Sequence, residues 1–420
     1  MKATVTILLV LLGLSACQRQ PIAKHDLDDL ASRYVALAAE LGDHDPDSLD
    51  FYIKSVTAST LSASSYAKLQ DDAVKLREEV QGVQGDAQRK SYLIGQLNAL
   101  ALRTEQLQGR DRSFDEESRV LFGVVAPYDT GAAARRSIRL ALADLSPGAA
   151  NEAAAYSRYE AQFVVPANRV PAVMSAALDQ CRMVTQAHMA LPVGEHIDVM
   201  YVSHKPWSAF SRYLGNAHSA LEINMDYPLT VDRILNLACH EGYPGHHVFN
   251  SVRDQLLVQT LHRDEFRVQP TFSPQSFVSE AAANYAPSLL TEQDRFHIEL
   301  DKLMPLAGLR RLDVTQYLRV ERLVYGLHTA EPSIARDYLD GRLEFVRAAD
   351  ALEREVLMEH PESLLLYLNE FRSYMLAYTI GSDAVQEMVE TGNPSESERW
   401  HRYSSLMTNP LMAIPALEQK

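Results

Sequence analysis

Most of the chain shows the three- and four-residue spacing of apolar positions that is typical of amphipathic helices. The spacing begins after His25 and continues through Leu41. It recurs in residues 65–107 with a break around Gly82–Gly85, in the alanine-rich stretches 129–145 and 150–163, in Val170–His188, and almost throughout the chain after residue 275. Each of these segments is predicted to be helical.

A short middle region has a different pattern. Residues 197–203 (IDVMYVS) are rich in β-forming residues, and in 218–228 Leu221 and Ile223 alternate with polar neighbours. Between them, residues 204–215 are rich in aromatic side chains, Trp207 among them, and are predicted to be a loop that lines a substrate pocket or fills the core. The segment 219–226 is interpreted as a half-exposed edge strand, which either pairs with an extended peptide or only packs.

The order of these segments indicates a mainly α fold: a multi-helix array with a small β-sheet beside one functional helix. Thr230 is a suitable N-cap for that helix, predicted to run from Val231 to Cys239. We divide the chain into a helical N-terminal domain, residues 25–165, and a mainly helical domain, residues 166–420, that carries the candidate chemistry.

The first residues have the features of an export signal. One lysine precedes an apolar run too short to span a bilayer, and Leu14-Ser15-Ala16-Cys17 resembles the bacterial lipobox. This resemblance implies that residues 1–16 are a signal peptide, that Cys17 is acylated and that residues 17–24 are a tether. Because Gln18 follows the cysteine, we expect a lipid-anchored protein of the outer membrane that faces the periplasm.

The net charge narrows the choice of partners, and the cysteine content allows a disulfide. The net charge is −15, and loss of Lys2 with residues 1–16 would make it −15 − 1 = −16. Such an excess of negative charge disfavours nucleic acid as a partner. Cys181 and Cys239 remain in the mature chain, and an oxidising compartment permits either a disulfide between them or two buried thiols.

The densest group of histidines lies in HEGYPGHH, residues 240–247. In an unbroken helix His240 and His246 would be about 240° and about 9 Å apart, so they could not bind one ion. Pro244 removes a helical hydrogen bond and Gly245 adds backbone freedom, so a break here could let the two histidines converge. His247 competes with His246 for the second ligand position. A catalytic zinc site requires three such ligands around one ion.

The third ligand is predicted to be Glu280, because it lies among small and apolar residues where an unpaired carboxylate would be costly to bury. Asn284, one helical turn later, could orient it from the second shell. Glu241 directly follows His240, as the general base does in HExxH sites.

Three segments resemble the bacterial DUF885 family of zinc-dependent hydrolases: RILNLACHEGYPGHHV (233–248), SPQSFVSEAAANY (273–285) and FRSYMLAYTIGSDAV (371–385). The likeness covers roughly residues 200–390. It implies a mainly helical, gluzincin-like metallopeptidase site with His240 and His246 as ligands, Glu241 as general base and Glu280 as third ligand. The chain departs from the family where Ala281-Ala282-Ala283 follows Glu280 and where it reads Val324-Tyr325-Gly326-Leu327-His328.

A hydrolytic site also needs a group that stabilises the developing oxyanion, and Tyr374 and Tyr378 are candidates. His328 is either a second-shell group or a structural histidine. The predicted function is zinc-dependent hydrolysis of amide bonds, with peptides as the favoured substrates. Two alternatives stay open: hydrolysis of another amide or ester, and a non-catalytic envelope lipoprotein with a structural metal.

Overall fold

The computed structural model describes residues 26–54, 64–205, 207–310 and 313–409. The predicted signal peptide, Cys17 and the tether lie outside the described residues. As predicted, the described part is mainly α. Its helices are α1 Leu27–His44, α2 Tyr66–Gly82, α3 Ala87–Gln106, α4 Phe114–Phe122, α5 Ala132–Leu145, α6 Glu152–Glu160, α7 Val170–His188, α8 Val231–Leu237, α9 His246–Arg253, α10 Pro274–Tyr285, α11 Glu292–His297, α12 Met304–Ala307, α13 Val314–Tyr325, α14 Glu331–Leu339, α15 Phe345–Ala351, α16 Pro361–Phe371, α17 Ile380–Glu390 and α18 Glu396–Thr408.

Two hydrophobic cores organise these helices. The apolar faces of α1, α2 and α3 enclose a smaller core that includes Leu30, Tyr34 and Leu93. A larger core begins at Ala99 in α3 and continues to Met407 in α18. The predicted helices in residues 99–165 therefore pack in the same core as the helices that follow them. The predicted domain boundary at residue 165 stays a prediction.

The strands form two small sheets: β1 Leu49–Tyr52 pairs with β5 Val268–Pro270, and β2 His196–Val202, β3 Ala209–Gly215 and β4 His218–Asn224 form a three-stranded sheet. In the latter, β4 lies in the middle, parallel to β2 and antiparallel to β3. The prediction that residues 219–226 form an edge strand is therefore wrong. Both sides of that strand are already paired, so it cannot add a peptide strand.

The prediction of a loop over residues 204–215 is also wrong for its second half, because Ala209–Gly215 form β3. This strand buries Ser211 and Tyr213 and exposes Arg212 between them, the alternation of a half-buried strand. Asn216 and Ala217 both have positive φ values, 54° and 56°, and join β3 to β4 through a two-residue turn. Such turns need positive φ at both central positions, and asparagine, here Asn216, adopts positive φ more readily than most residues.

The functional helix is tied to its surroundings at both ends. Thr230 caps α8 as predicted, because its side chain accepts a hydrogen bond from the Arg233 amide. At the other end, Cys239 forms a disulfide with Cys181 of α7, which decides between the two states left open by the sequence. Within the described residues no helix is long and apolar enough to cross a membrane.

Candidate metal centre

The backbone breaks where the Pro-Gly pair predicted it. After α8 the chain widens into a π-helical turn, Ala238–Gly242, and then bends before α9 begins at His246. The Tyr243 amide donates to the Ala238 carbonyl at 3.2 Å, and the Gly245 amide donates to the Cys239 carbonyl at 2.9 Å. These bonds span five and six residues, so each helical turn here contains more residues than the 3.6 of an α-helix. The predicted break is thus confirmed.

The widened turn brings His240 and His246 to the same place. Their ring centroids are 4.8 Å apart and the rings are nearly perpendicular. Glu280 in α10 lies opposite, with Oε1 3.2 Å from His240 Nε2 and Oε2 3.3 Å from His246 Nε2. All three side chains are at least four-fifths buried, and each keeps some exposure to solvent.

These donors fit a metal ion. Two imidazole nitrogens and one carboxylate are a common ligand set of catalytic zinc. Glu241 follows His240 in the same turn, with Oε1 3.8 Å from His240 Nε2. One ligand atom each from His240, Glu241 and His246 lie within 4.8 Å of one another, a spacing that could hold an ion. The structure therefore brings together the predicted ligands His240, His246 and Glu280 with the predicted base.

Neighbouring side chains hold Glu280 in place. Asn284, one turn later in α10, donates to the Glu280 carboxylate at 3.3 Å and to its backbone carbonyl at 3.0 Å, in keeping with the orienting role predicted for it. Tyr374 donates to Oε2 at 3.4 Å, and its hydroxyl lies 2.9 Å from that of Ser276. Tyr374 thus lies beside the cluster, and a group that stabilises the oxyanion must lie there.

Electrostatic interactions favour the charged forms of His246 and Glu280. Burial alone would lower the pKa of His246, but the Glu280 carboxylate outweighs burial and raises that pKa to about 9. Burial would likewise raise the pKa of Glu280, but His246 and His240 outweigh it, and the pKa is well below its usual range. Burial, followed by the charge of Glu280, raises the pKa of Tyr374 well above its usual value, so this tyrosine keeps its proton.

His247 does not join the group formed by His240, His246 and Glu280, and its role as an alternative second ligand stays a prediction. Its side chain is fully buried, and both ring nitrogens are engaged: Nδ1 lies 2.8 Å from Ser219 Oγ and Nε2 lies 3.0 Å from Glu195 Oε2. Glu195 also accepts a hydrogen bond from Tyr243 at 2.6 Å. Glu195 thereby holds the residues on both sides of Pro244 and Gly245, and His247 positions the turn.

Two other predicted residues lie further from the ligands. Tyr378 is about one-third exposed; its hydroxyl is 3.5 Å from that of Tyr367, and its ring is 6.3 Å from that of Tyr374. His328 lies 3.0 Å from Asp383 of α17, and among its described hydrogen bonds none reaches the His–Glu cluster. The hydrogen bonds of His328 therefore give it a structural role, and a second-shell role for it stays a prediction.

Asp50 is a site neighbour that the sequence did not indicate. It lies on β1 in the N-terminal region, where no histidine or acidic cluster drew attention, and it accepts a hydrogen bond from Gln269 at 2.7 Å. Burial raises the pKa of Asp50 to about 6, and the charge of His246 partly opposes this rise. The site thus has a carboxyl near His246 besides those of Glu280 and Glu241, and it comes from 246 − 50 = 196 residues away in the sequence.

Comparisons with known proteins add little to this geometry. No family model and no curated protein matches the chain. Among solved structures, it is similar to "the putative lipoprotein from Colwellia psychrerythraea", with 15% identity and a TM-score of 0.46, over 85% of this chain and 67% of that chain. So distant a likeness carries no argument about the site, and membership of the DUF885 family stays a prediction.

Proposed function

We propose that the protein is a zinc-dependent hydrolase of amide bonds that acts on peptides in the bacterial cell envelope. The observation that carries the proposal is the convergence of His240, His246 and Glu280, with Glu241 beside them, at a turn widened by hydrogen bonds across five and six residues. The three converging residues would hold one Zn²⁺. When bound in such a site, zinc polarises a carbonyl group and makes water a stronger acid.

Glu241 is the group placed to move a proton. It is buried in the same turn as His240, yet it does not share the hydrogen bonds that hold Glu280. As general base it would take a proton from the attacking water and then give it to the leaving amine. A purely structural metal site has no use for such a group, and this speaks for catalysis over the non-catalytic alternative.

Tyr374 is the better placed of the two tyrosines to assist. It keeps its proton at all physiological pH values, and its hydroxyl is within 3.4 Å of the Glu280 carboxylate. A neutral hydroxyl at this position can donate a hydrogen bond to the negative charge that develops on the substrate carbonyl oxygen. Tyr378, more exposed at the edge of the same group, would contact the substrate.

The test combines metal analysis with activity on a peptide library. Wild-type protein should contain about one zinc per chain, and His240→Ala should lose it. Glu241→Gln should keep the metal and lose hydrolysis, because only the base is removed. The matched control is His188→Ala, since His188 is also partly buried and lies 3.2 Å from a carboxylate, Glu396, but outside the cluster.

Two results would count against the proposal. Hydrolysis by Glu241→Gln at the wild-type rate would show that the mechanism is wrong. A wild-type protein that holds zinc and gains stability from it, yet cleaves no member of peptide, amide and ester libraries, would favour the structural-metal alternative.

The location is a separate part of the proposal. The lipobox-like residues 14–17 indicate a lipid anchor at Cys17, and Gln18 favours the outer over the inner membrane. Since several acyl chains hold a protein firmly, Cys17→Ser should move it from the membrane to the soluble fraction. If the variant still fractionates with membranes, something other than lipid retains the protein.

A further inference from the structure

A second group of metal-type ligands lies on the exposed face of the three-stranded sheet. It consists of His196, Asp198 and His218, named here the surface His–Asp–His cluster. His196 Nε2 is 2.9 Å from Asp198 Oδ1, and His218 Nε2 is 2.9 Å from Asp198 Oδ2. The two imidazole centroids are 5.4 Å apart. One carboxylate thus bridges two histidine nitrogens, without any contact with the His240 cluster among the described hydrogen bonds.

The register of the sheet creates this grouping. His196 and Asp198 are two residues apart on β2, so their side chains point to the same face of the strand. His218 on β4 is the direct partner of His196 across the parallel pair. Neighbouring strands are about 4.8 Å apart, which brings the two imidazoles within reach of one ion. A shift of one residue in the pairing would turn His218 to the buried face.

We propose that His196, Asp198 and His218 form a second binding site for a divalent transition-metal ion such as Zn²⁺ or Cu²⁺. Two imidazoles and one carboxylate suit these ions, and water would complete the coordination. Ligand atoms of a tetrahedral zinc site with bonds of about 2.05 Å are about 3.3 Å apart. The three ligand atoms here already lie within 4.8 Å of one another, so small rotations of exposed side chains suffice.

The three side chains of the cluster are already in contact, because the Asp198 carboxylate lies 2.9 Å from both imidazoles. The ligands are solvent-exposed, with 62%, 58% and 37% of the His196, Asp198 and His218 side chains accessible, so an ion can enter without any opening of the fold. The same exposure makes this site weaker than the buried one.

The cluster is also connected to the turn at Pro244. Glu195 immediately precedes His196, and Ser219 immediately follows His218. These two neighbours bind the two ring nitrogens of His247. An ion that clamps His196 to His218 would therefore fix the starts of the two strands that hold His247. We expect occupancy of the surface site to raise the melting temperature of the protein.

The experiment isolates the surface site from the proposed zinc site. Full-length protein carrying His240→Ala and His246→Ala is stripped with a chelator and titrated with Cu²⁺ or Zn²⁺ by calorimetry. One equivalent should still bind, with two nitrogen ligands in the Cu²⁺ electron paramagnetic resonance spectrum. Adding His196→Ala and His218→Ala should abolish that equivalent. The single change Asp198→Asn should weaken it by at least about tenfold, since even changes outside the ligand set cost that much.

The matched control is the exposed pair His297 and Asp301, which are 2.9 Å apart and have no third ligand grouped with them among the described residues. Replacing both by alanine should leave the titration unchanged. The proposal is overturned if the background variant binds no equivalent up to millimolar metal while its circular dichroism is that of a folded protein. It is also overturned if the bound equivalent survives both histidine changes. Either result leaves the proposed function untouched, because the His240 site is absent from this background.

Discussion

The replacement Gly245→Ala tests the break that brings the ligands together. A Cβ atom on residue 245 would lie 1.7 Å from the carbonyl oxygen of His240, 2.4 Å from its carbonyl carbon and 2.5 Å from the carbonyl oxygen of Cys239. Ordinary contact begins at 3.4 Å, so these atoms must separate by 3.4 − 1.7 = 1.7 Å. All three obstacles are backbone atoms, and no side-chain rotation can relieve the overlap.

The expected magnitude follows from that displacement. Forcing one methyl group into a packed site commonly costs about 1–3 kcal/mol, and a backbone obstacle should place this change at the upper end, near 3 kcal/mol. Ligand distances in metal sites are set to within about 0.2 Å, far less than the shift required here. Zinc affinity should therefore fall by more than about tenfold, equivalent to about 1.4 kcal/mol, although no ligand is changed.

The assay is urea unfolding of the metal-free protein, followed by competition for zinc with a chelator. Gly242→Ala is the near control, because its Cβ would meet the flexible end of Leu178 at 2.7 Å, and it should cost less. Gly82→Ala is the distant control, with no atom within 4 Å. If Gly245→Ala unfolds within about 0.5 kcal/mol of wild type and keeps its zinc affinity, the steric reasoning about this turn is wrong.

Other predictions follow from the charged groups. Because the pKa of His246 is about 9 in the metal-free protein, zinc must displace its proton, so affinity should rise with pH up to about 9. Calorimetry in buffers of different ionisation heat should then show about one proton released, and a buffer-independent heat would contradict this. Protonated His246 stabilises the metal-free fold fully below about pH 6.5, and this contribution to the free energy of unfolding should be lost between pH 6.5 and 9. His246→Gln should reduce this dependence of stability on pH. Burial raises the pKa of Glu299 to about 8 despite the charge of Arg295. The free energy of unfolding should therefore fall as pH rises from about 4.5 to 8, by up to about 1.4 kcal/mol per pH unit. Glu299→Gln should remove this part of the pH dependence in thermal melts. Glu195→Gln should destabilise by about 1–3 kcal/mol in urea unfolding, since it weakens buried hydrogen bonds; unchanged stability would refute its role in holding the turn.

The local sequence pattern predicts a structure correctly where that structure depends on one segment alone. The spacing of apolar residues predicted the helices, Val170–His188 to the residue, because periodicity reports which side of a helix is buried. The six-residue spacing of His240 and His246 predicted a break, because a regular helix cannot bring them together. Glu280 was found because an apolar neighbourhood makes a carboxylate conspicuous.

Contacts between segments that are far apart in the chain could not be predicted from the sequence pattern. The position of β4 in the middle of the sheet depends on β3, whose aromatic residues are also typical of a loop. His247 lies apart from the His240 group because it contacts Glu195 and Ser219, which are far away in the sequence. Asp50 approaches the site only because β1 pairs with β5. None of these relations leaves a periodic signal in the chain.

The Cys181–Cys239 disulfide has a consequence for proteolysis. The two cysteines are 58 residues apart, and between them lies the turn at Val193, whose side chain is 96% exposed. Exposed turns of this kind are preferred sites of protease cleavage. A cut after Val193 would leave one cysteine of the disulfide in each fragment, so the nicked protein would remain a single molecule without reductant and separate into two bands with it. A nicked molecule could thus go unnoticed on a non-reducing gel, with the cut in the segment that leads into Glu195 and the surface His–Asp–His cluster.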